Sequence, residues 1–427
     1  MKLQIESIDI TGVRSGSKTS ISDHVLNIDF KELEQIILQD TRIKSVELNV
    51  AYPGDRVRII NVVDVIQSRC KIDRDNEDFP GRLGKLVSAG QGRTRSLRGL
   101  CVVLSNSKTS RIQLPLIDMF GIGSERGKYG KMINISIHPI PEEDTDERDF
   151  DNAVKEAGLK TAVYLARSAD SHSIDETKTY ELDIPKHTTS DLPKIAYYYQ
   201  LHTPQHDHSG IADPILYGTE VTNLLPTLIH PNEVLDGAVI NINSLRFMTD
   251  TYSMQNHAVI KELYNRHEKE LIFAGMVIGV ATMESVQRQR MAIMAANLIS
   301  NILGADGVIL TKVHGGMPHV DLALTAEACE DLGVKTTLFI HLIQSQSSIT
   351  DQLLFSSESL DAVINVGNVI ERMYLPHADR ILGGTVETPV FHPDIKQKAG
   401  DECVVIEGSL AGVYNHIGDA RIVGVEY

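Results

Sequence analysis

The sequence predicts an α/β protein, with a β-rich N-terminal part followed by a C-terminal open, mostly parallel, Rossmann-like α/β domain. Three observations predict it. Over the first 66 residues apolar and polar side chains alternate with the period of two that marks half-buried strands. From about Lys269 onward, short apolar runs alternate with helical segments, the pattern of parallel strands covered on both faces. Between them the acidic stretch Pro141-Glu-Glu-Asp-Thr-Asp-Glu-Arg-Asp149 reads as a linker. The chain divides accordingly into a β-rich domain at 1–140, an α/β segment at 150–243 and the Rossmann-like domain at 244–427.

Taken in order, the first part runs through strands, a short helix over 30–39, and strands at 45–50 and 56–62. The charged stretch 73–78 is a loop leading to Phe79-Pro-Gly81, and Gly99-Leu-Cys-Val-Val-Leu104 is the next buried strand. After the linker come a helix over 152–169 and a strand over 194–200. Residues 201–210, with three histidines, read as a solvated connection. Strand 271–278, helix 283–302, strand 307–310, helix 321–332 and strands 335–341 and 362–365 follow. Residues 403–427 are expected to add an antiparallel strand to this domain.

The chain has 427 residues and a mass of 47.2 kDa, enough for two or three domains with real cores. No apolar run approaches the roughly 18 residues that span a bilayer, and Met1-Lys-Leu-Gln-Ile-Glu-Ser7 does not resemble a secretory leader. A cytoplasmic protein is expected. The formal net charge of −16 argues against nucleic acid or an anionic membrane as partner. Cys70, Cys101, Cys329 and Cys403 have no disulfide or metal-like spacing and read as buried apolar side chains.

Open parallel sheets bind ligands beyond the carboxyl ends of their strands. Here that rule selects Thr311-Lys-Val-His314-Gly315-Gly316-Met-Pro-His319-Val-Asp321 and Asn365-Val-Gly367-Asn368. Gly315 and Gly316 let backbone N–H groups approach a ligand, and the helix start beyond them suits a carboxylate. The candidate substrate-binding residues are therefore His314, Gly315, Gly316, His319, Asp321, Asn365 and Gly367. The histidines and Asp321 match no specific metal spacing, so no metal is assigned; helix capping by Asp321 competes with acid–base duty. Gly90-Gln-Gly-Arg-Thr94 with Arg95 and Arg98 reads as a glycine turn with solvated arginines rather than a phosphate loop, and no nucleotide-binding fingerprint is present.

One further set of motifs carries a resemblance. It comprises Asp236-Gly-Ala-Val-Ile-Asn-Ile-Asn243-Ser244-Leu, Thr251-Tyr252 and Asn256-His-Ala-Val-Ile260, near the middle of the chain. It continues in Phe79-Pro-Gly81, Gly90-Gln-Gly-Arg-Thr94, Pro226-Thr-Leu-Ile-His-Pro231, Glu262-Leu-Tyr-Asn-Arg-His267, Leu303-Gly-Ala-Asp-Gly-Val-Ile309 and Leu375-Pro376. Together these resemble the component B proprotein of the glycine, sarcosine and betaine reductases, a family related to the pyruvoyl-carrying subunit of D-proline reductase. The resemblance spans nearly the whole chain.

It implies self-cleavage of the Asn243–Ser244 bond and conversion of Ser244 to a covalent pyruvoyl group. The family has cysteine where Ser244 stands; a serine hydroxyl can also attack the preceding carbonyl, and β-elimination of the ester then yields pyruvoyl. Asn243 and Ser244 are the implied catalytic residues. The pyruvoyl ketone would form an imine with a substrate amine for reductive C–N cleavage, while a selenocysteine- or cysteine-containing partner subunit supplies the nucleophile. The implied protein is thus an oxidoreductase subunit of a hetero-oligomeric complex in amino-acid metabolism. The alternative is an uncleaved, pyruvoyl-free paralogue serving as a substrate-binding or scaffold subunit. It draws on Ser244 and on Val313, Met317, His319 and the Gly279-Val-Ala-Thr282 loop, where the family pattern is more polar or acidic.

Overall fold

The computed structural model describes residues 1–106, 115–169, 174–183, 190–201, 215–221, 224–241, 249–282, 284–312, 318–342, 357, 359–368, 371–390, 396–413 and 417. The protein is a mixed α/β structure with several sheets. Two four-stranded sheets build the N-terminal part. One runs Glu176–Glu181, Lys2–Asp9, Gly92–Arg98, Arg69–Lys71; the other runs Ile43–Ala51, Ile133–Pro141, Leu100–Ser105, Val62–Ile66.

The helices start where short acidic side chains can hold free amides. Asp29 accepts from Lys31 N–H at 3.0 Å and Glu32 N–H at 3.1 Å, opening Phe30–Ile37. Asp146, inside the stretch read as a linker, does the same for the 21-residue helix Glu147–Arg167. That helix buries Phe150, Ala153, Val154, Ala157 and Leu165 in the same core as Ile66, Leu97, Val102 and Ile135 of the strands.

The largest sheet has six strands in the order Thr227–Ile229, Ile272–Val280, Lys194–Leu201, Gly307–Thr311, Lys335–Leu342, Ala362–Asn368. Only the first is antiparallel. Both faces are covered, which is why these strands read as continuous apolar runs. Helices Ser285–Asn297 and Pro318–Asp331 pack on one face with Ala196, Tyr198, Leu310 and Ile340. Tyr197, Tyr199, Met276 and Phe339 join Leu3, Tyr180, Val239 and Ile260 on the other. The sheet takes strands from both sides of position 243. No helix among the described residues is long and apolar enough to cross a membrane.

One expected strand goes elsewhere. Cys403–Ile406 pairs antiparallel with Arg372–Leu375 in a sheet of its own rather than extending the six-stranded one. The reason is apolar: Cys403 and Val405 share a core with Ile60 and Leu116. Buried Arg58 fastens the contact, pairing with Asp118 at 2.6 Å and donating to the carbonyls of Pro376 at 2.8 Å and Ala399 at 2.6 Å. All four cysteines are free and buried, as their spacing predicted.

Candidate functional site

Asn243 and Ser244 lie outside the described residues, in 242–248, but the chain on either side is fixed in detail. Upstream, the Asp236 carboxylate accepts from Lys71 Nζ at 2.5 Å, Thr94 Oγ1 at 2.7 Å and Gly90 N–H at 2.8 Å. Gly237 follows at φ +87°, where a Cβ would meet the Phe79 ring at 3.0 Å. Three separated motifs, Phe79-Pro-Gly81, Gly90 to Thr94 and Asp236-Gly237, thus form one junction. Of the arginines expected to be solvated, Arg93 and Arg98 keep solvent contact while engaged in ion pairs, and Arg95 does not. Arg95 is buried, Arg93 pairs with Glu6, and Arg98 pairs with Asp9 and Glu176.

The two ends of the bracketed segment are tied together. Asn241 N–H donates to Thr251 Oγ1 at 3.1 Å, and Thr251 donates its own N–H and hydroxyl to Asp64 at 2.9 and 2.5 Å. Asp64 also pairs with Lys155, and all four residues are buried. Burial pushes the Lys155 ammonium down, and the adjacent Asp64 charge offsets it. Asp250 caps the helix Thr251–Gln255 by accepting Ser253 N–H at 2.7 Å.

A second polar group lies at the carboxyl end of the strand Lys194–Leu201, on the face away from the two covering helices. Tyr197 Oη meets Thr311 Oγ1 at 2.5 Å and His257 Nε2 at 3.1 Å. The His257 ring stands edge-on to Tyr197 and Tyr199, 5.2 and 5.0 Å between centroids. Burial, with Lys261 adding to it, pushes His257 down to about 3, so the imidazole is neutral at physiological pH. Its Nδ1 has no hydrogen-bond partner among the described residues.

The helix face of the same edge holds the third group. Side chains alternate along a strand, so Gln200 shares this face with Tyr198. The pairing Tyr198↔Leu310 places Leu310, and after it Lys312, on the same side. Asn365 enters it through its pairing with Ile340. Gln200, Lys312, His319 and Asn365 are buried. Burial pushes Lys312 well below the usual ammonium range and Asp321 up to about 6, with Thr282 and Arg288 pulling the latter back. Asp321 accepts Thr282 N–H at 2.8 Å and pairs with Arg288, whose Nη2 donates to Thr282 O at 2.9 Å.

Asp321 is therefore not the cap of its own helix. It bridges the loop after Ile272–Val280 to the helix Ser285–Asn297, because Arg288 and the Thr282 amide are the donors within its reach. Asn365 and Gly367 lie within the strand Ala362–Asn368 rather than in a loop after it. His314, Gly315 and Gly316 fall outside the described residues. Gln200, Arg288, Lys312, His257, Tyr197, Asp64 and Lys155 were not singled out from the sequence. Asp64 inside Val62-Val-Asp-Val-Ile66, and Lys312 directly after an apolar run, were the available signals: a charge at a core position demands a partner or a task. Among the described residues no group of three or more His, Cys, Asp or Glu could hold a metal ion.

No solved structure matches the chain. Among sequence relatives, the glycine reductase complex component B subunits alpha and beta of Peptoclostridium acidaminophilum are 31% identical over 425 residues, covering 98% of both chains. The corresponding protein of Acetoanaerobium sticklandii is 31% identical over 90% of this chain and 89% of its own. The sarcosine reductase complex component B subunit alpha of Peptoclostridium acidaminophilum is 31% identical over 98% of this chain and 99% of its own. Residues 1–421 match the family described as glycine/sarcosine/betaine reductase component B subunits, and with full-length relatives at this identity the chain belongs to that family.

Proposed function

We propose that this chain is the component B subunit of a reductase complex acting on a small amine or amino acid, and that it matures by cleavage between Asn243 and Ser244 to leave a pyruvoyl group at Ser244. The observation that carries the reading is the tie around that bond. Asn241 and Thr251 are buried, bonded to each other and anchored through Asp64 to Lys155. Self-processing needs a backbone held in strain by its surroundings, and this anchorage supplies the holding.

A pyruvoyl ketone supplies an electrophile for an amine nitrogen and an electron sink for C–N cleavage, the imine chemistry that the family resemblance implies. The chain's own thiols do not supply the displacing nucleophile. Burial raises Cys101 and Cys403 and pushes Cys329 up to about 12, which suppresses the thiolate. A thiolate or selenolate on a partner subunit fills that role, so the working form is a hetero-oligomer.

Intact denatured mass before and after hydroxylamine tests the reading. Two fragments meeting at Asn243, the downstream one taking up the reagent, are expected, and Ser244→Ala leaves one full-length chain. The second reading, an uncleaved substrate-binding or scaffold subunit, is favoured by serine standing where the family has cysteine. It predicts a single unreactive 47.2 kDa species from the wild type.

A further inference from the structure

We propose that the outward face of the helix Ser285–Asn297, with the turn that follows it to Ile302, is where a second copy of this chain docks about a two-fold axis. The inference goes beyond the proposed reaction and holds whether or not the bond at 243–244 is cut.

A helix that covers a sheet normally turns charged and polar side chains to solvent. This one is apolar on both sides. Inward it buries Met291, Ala292, Ala295 and Ala296. Outward it carries Val286 at 60% and Ile293 at 58% exposure, and the π-helical turn Leu298–Ile302 adds Ile302 at 52%. Single exposed apolar side chains are ordinary, but these share one stripe. Val286, Arg290, Ile293, Asn297 and Asn301 follow one another at the three- and four-residue spacing of a single helix face, and the wider π turn leaves Ile302 exposed beside Asn301.

Charge and symmetry select the occupant. Acidic residues number 57 in 427, yet none lies between Ser285 and Ile302, and Arg290 is the one exposed charge there. Two chains of net charge −16 repel each other, so they can meet only where neither presents a carboxylate. Depletion of charge is also the compositional mark of an interface centre. A two-fold contact must be self-complementary, and this stripe is. Antiparallel pairing about an axis between Ile293 and Met294 sets Ile293 beside its own copy and Val286 against Asn301 and Ile302. Arg290 then meets Asn297, about 10 Å along the helix from the second Arg290. The face, about 27 Å long and 10 Å wide, falls short of the roughly 800 Å² that each partner buries in a stable interface. Exposed Leu332, ending the neighbouring helix Pro318–Asp331, extends it, and a reversible dimer with a dissociation constant near about 10 µM is expected.

Sedimentation equilibrium of the full chain across that range, with denatured mass read on the same samples, tests this. The native mass is expected to rise with concentration from once to twice the 47.2 kDa chain. Ile293→Asp is expected to raise the dissociation constant at least about 30-fold with an unchanged far-UV spectrum. Cysteine pairing tests the axis, since the four native thiols are buried. Under mild oxidation Ile293→Cys should link to its own copy, whereas Val286→Cys and Ile302→Cys should link only when the two proteins are mixed. A wild type that stays single throughout, an Ile293→Asp chain as dimeric as wild type, or Val286→Cys linking to itself would overturn the proposal; the first would assign the face to a different protein. The denatured mass reports scission independently, so a dimer of uncut chains and a cut chain that does not pair are told apart.

Discussion

Asp64 and Gln200 are both buried polar side chains in strands, yet their surroundings differ completely. Asp64 accepts from Val65 N–H, Thr251 N–H, Thr251 Oγ1 and Lys155 Nζ, so both oxygens are engaged. Gln200, near the carboxyl end of a central strand, uses neither end of its amide among the described residues, and His257, on the opposite face of that sheet, leaves Nδ1 idle among them. A saturated network holds structure together; one left open at a strand end is free to meet something else. The first lies among the strands and long helix of the N-terminal part, the second toward the carboxyl ends of the parallel strands.

The largest test of that contrast is Lys155→Met, which strands the Asp64 charge. Unfolding free energy in urea should fall by about 3–5 kcal/mol, with part recovered when Asp64→Leu is added. Arg288→Met should cost somewhat less, roughly 2–3 kcal/mol, since Asp321 keeps the Thr282 amide and can take up a proton; faster hydrogen exchange at Thr282 would locate the loss. Little change there would mean that the edge is not held by this pair.

The pH response of His257 comes next. Its folded value, about 3, lies below the ordinary 6.5, so below pH 6.5 the unfolded chain binds a proton that the folded chain refuses. Its contribution to stability is therefore complete above pH 6.5 and is lost as pH falls toward 3. Between pH 7.5 and 5 the loss should be about 2 kcal/mol, and it should vanish from the difference between those two pH values in His257→Phe. The smallest effect has the opposite sign. Gln200→Leu should stabilise the chain by about 1 kcal/mol, because it removes an unsatisfied buried amide; destabilisation would place Gln200 with Asp64 among the structural groups.

The alternating apolar runs after Lys269 made the parallel strands legible, because burial on both faces writes itself directly into composition. The strand Cys403–Ile406 was legible as a strand but not in its destination. Its apolar side chains suit either core, and Arg58, 345 positions away in sequence from Cys403, decides between them. The site divides the same way. Asp321 drew notice from its place at a helix start, but the capping reading does not hold, because its partners Thr282 and Arg288 belong to a separate loop and helix. Gln200 was invisible: a glutamine at a strand end has no signature until its neighbours are known to ignore it.

The sheet order has a consequence for how such a protein can be made. Ile272–Val280 lies between Thr227–Ile229 and Lys194–Leu201, so a downstream strand is held between two upstream ones. A cut at 243–244 would leave two polypeptides sharing this sheet, whose helix-covered face joins Ala196 and Tyr198 from upstream to Leu310 and Ile340 from downstream. After a cut in the folded protein the two products would therefore be expected to migrate as one particle and to part only on unfolding.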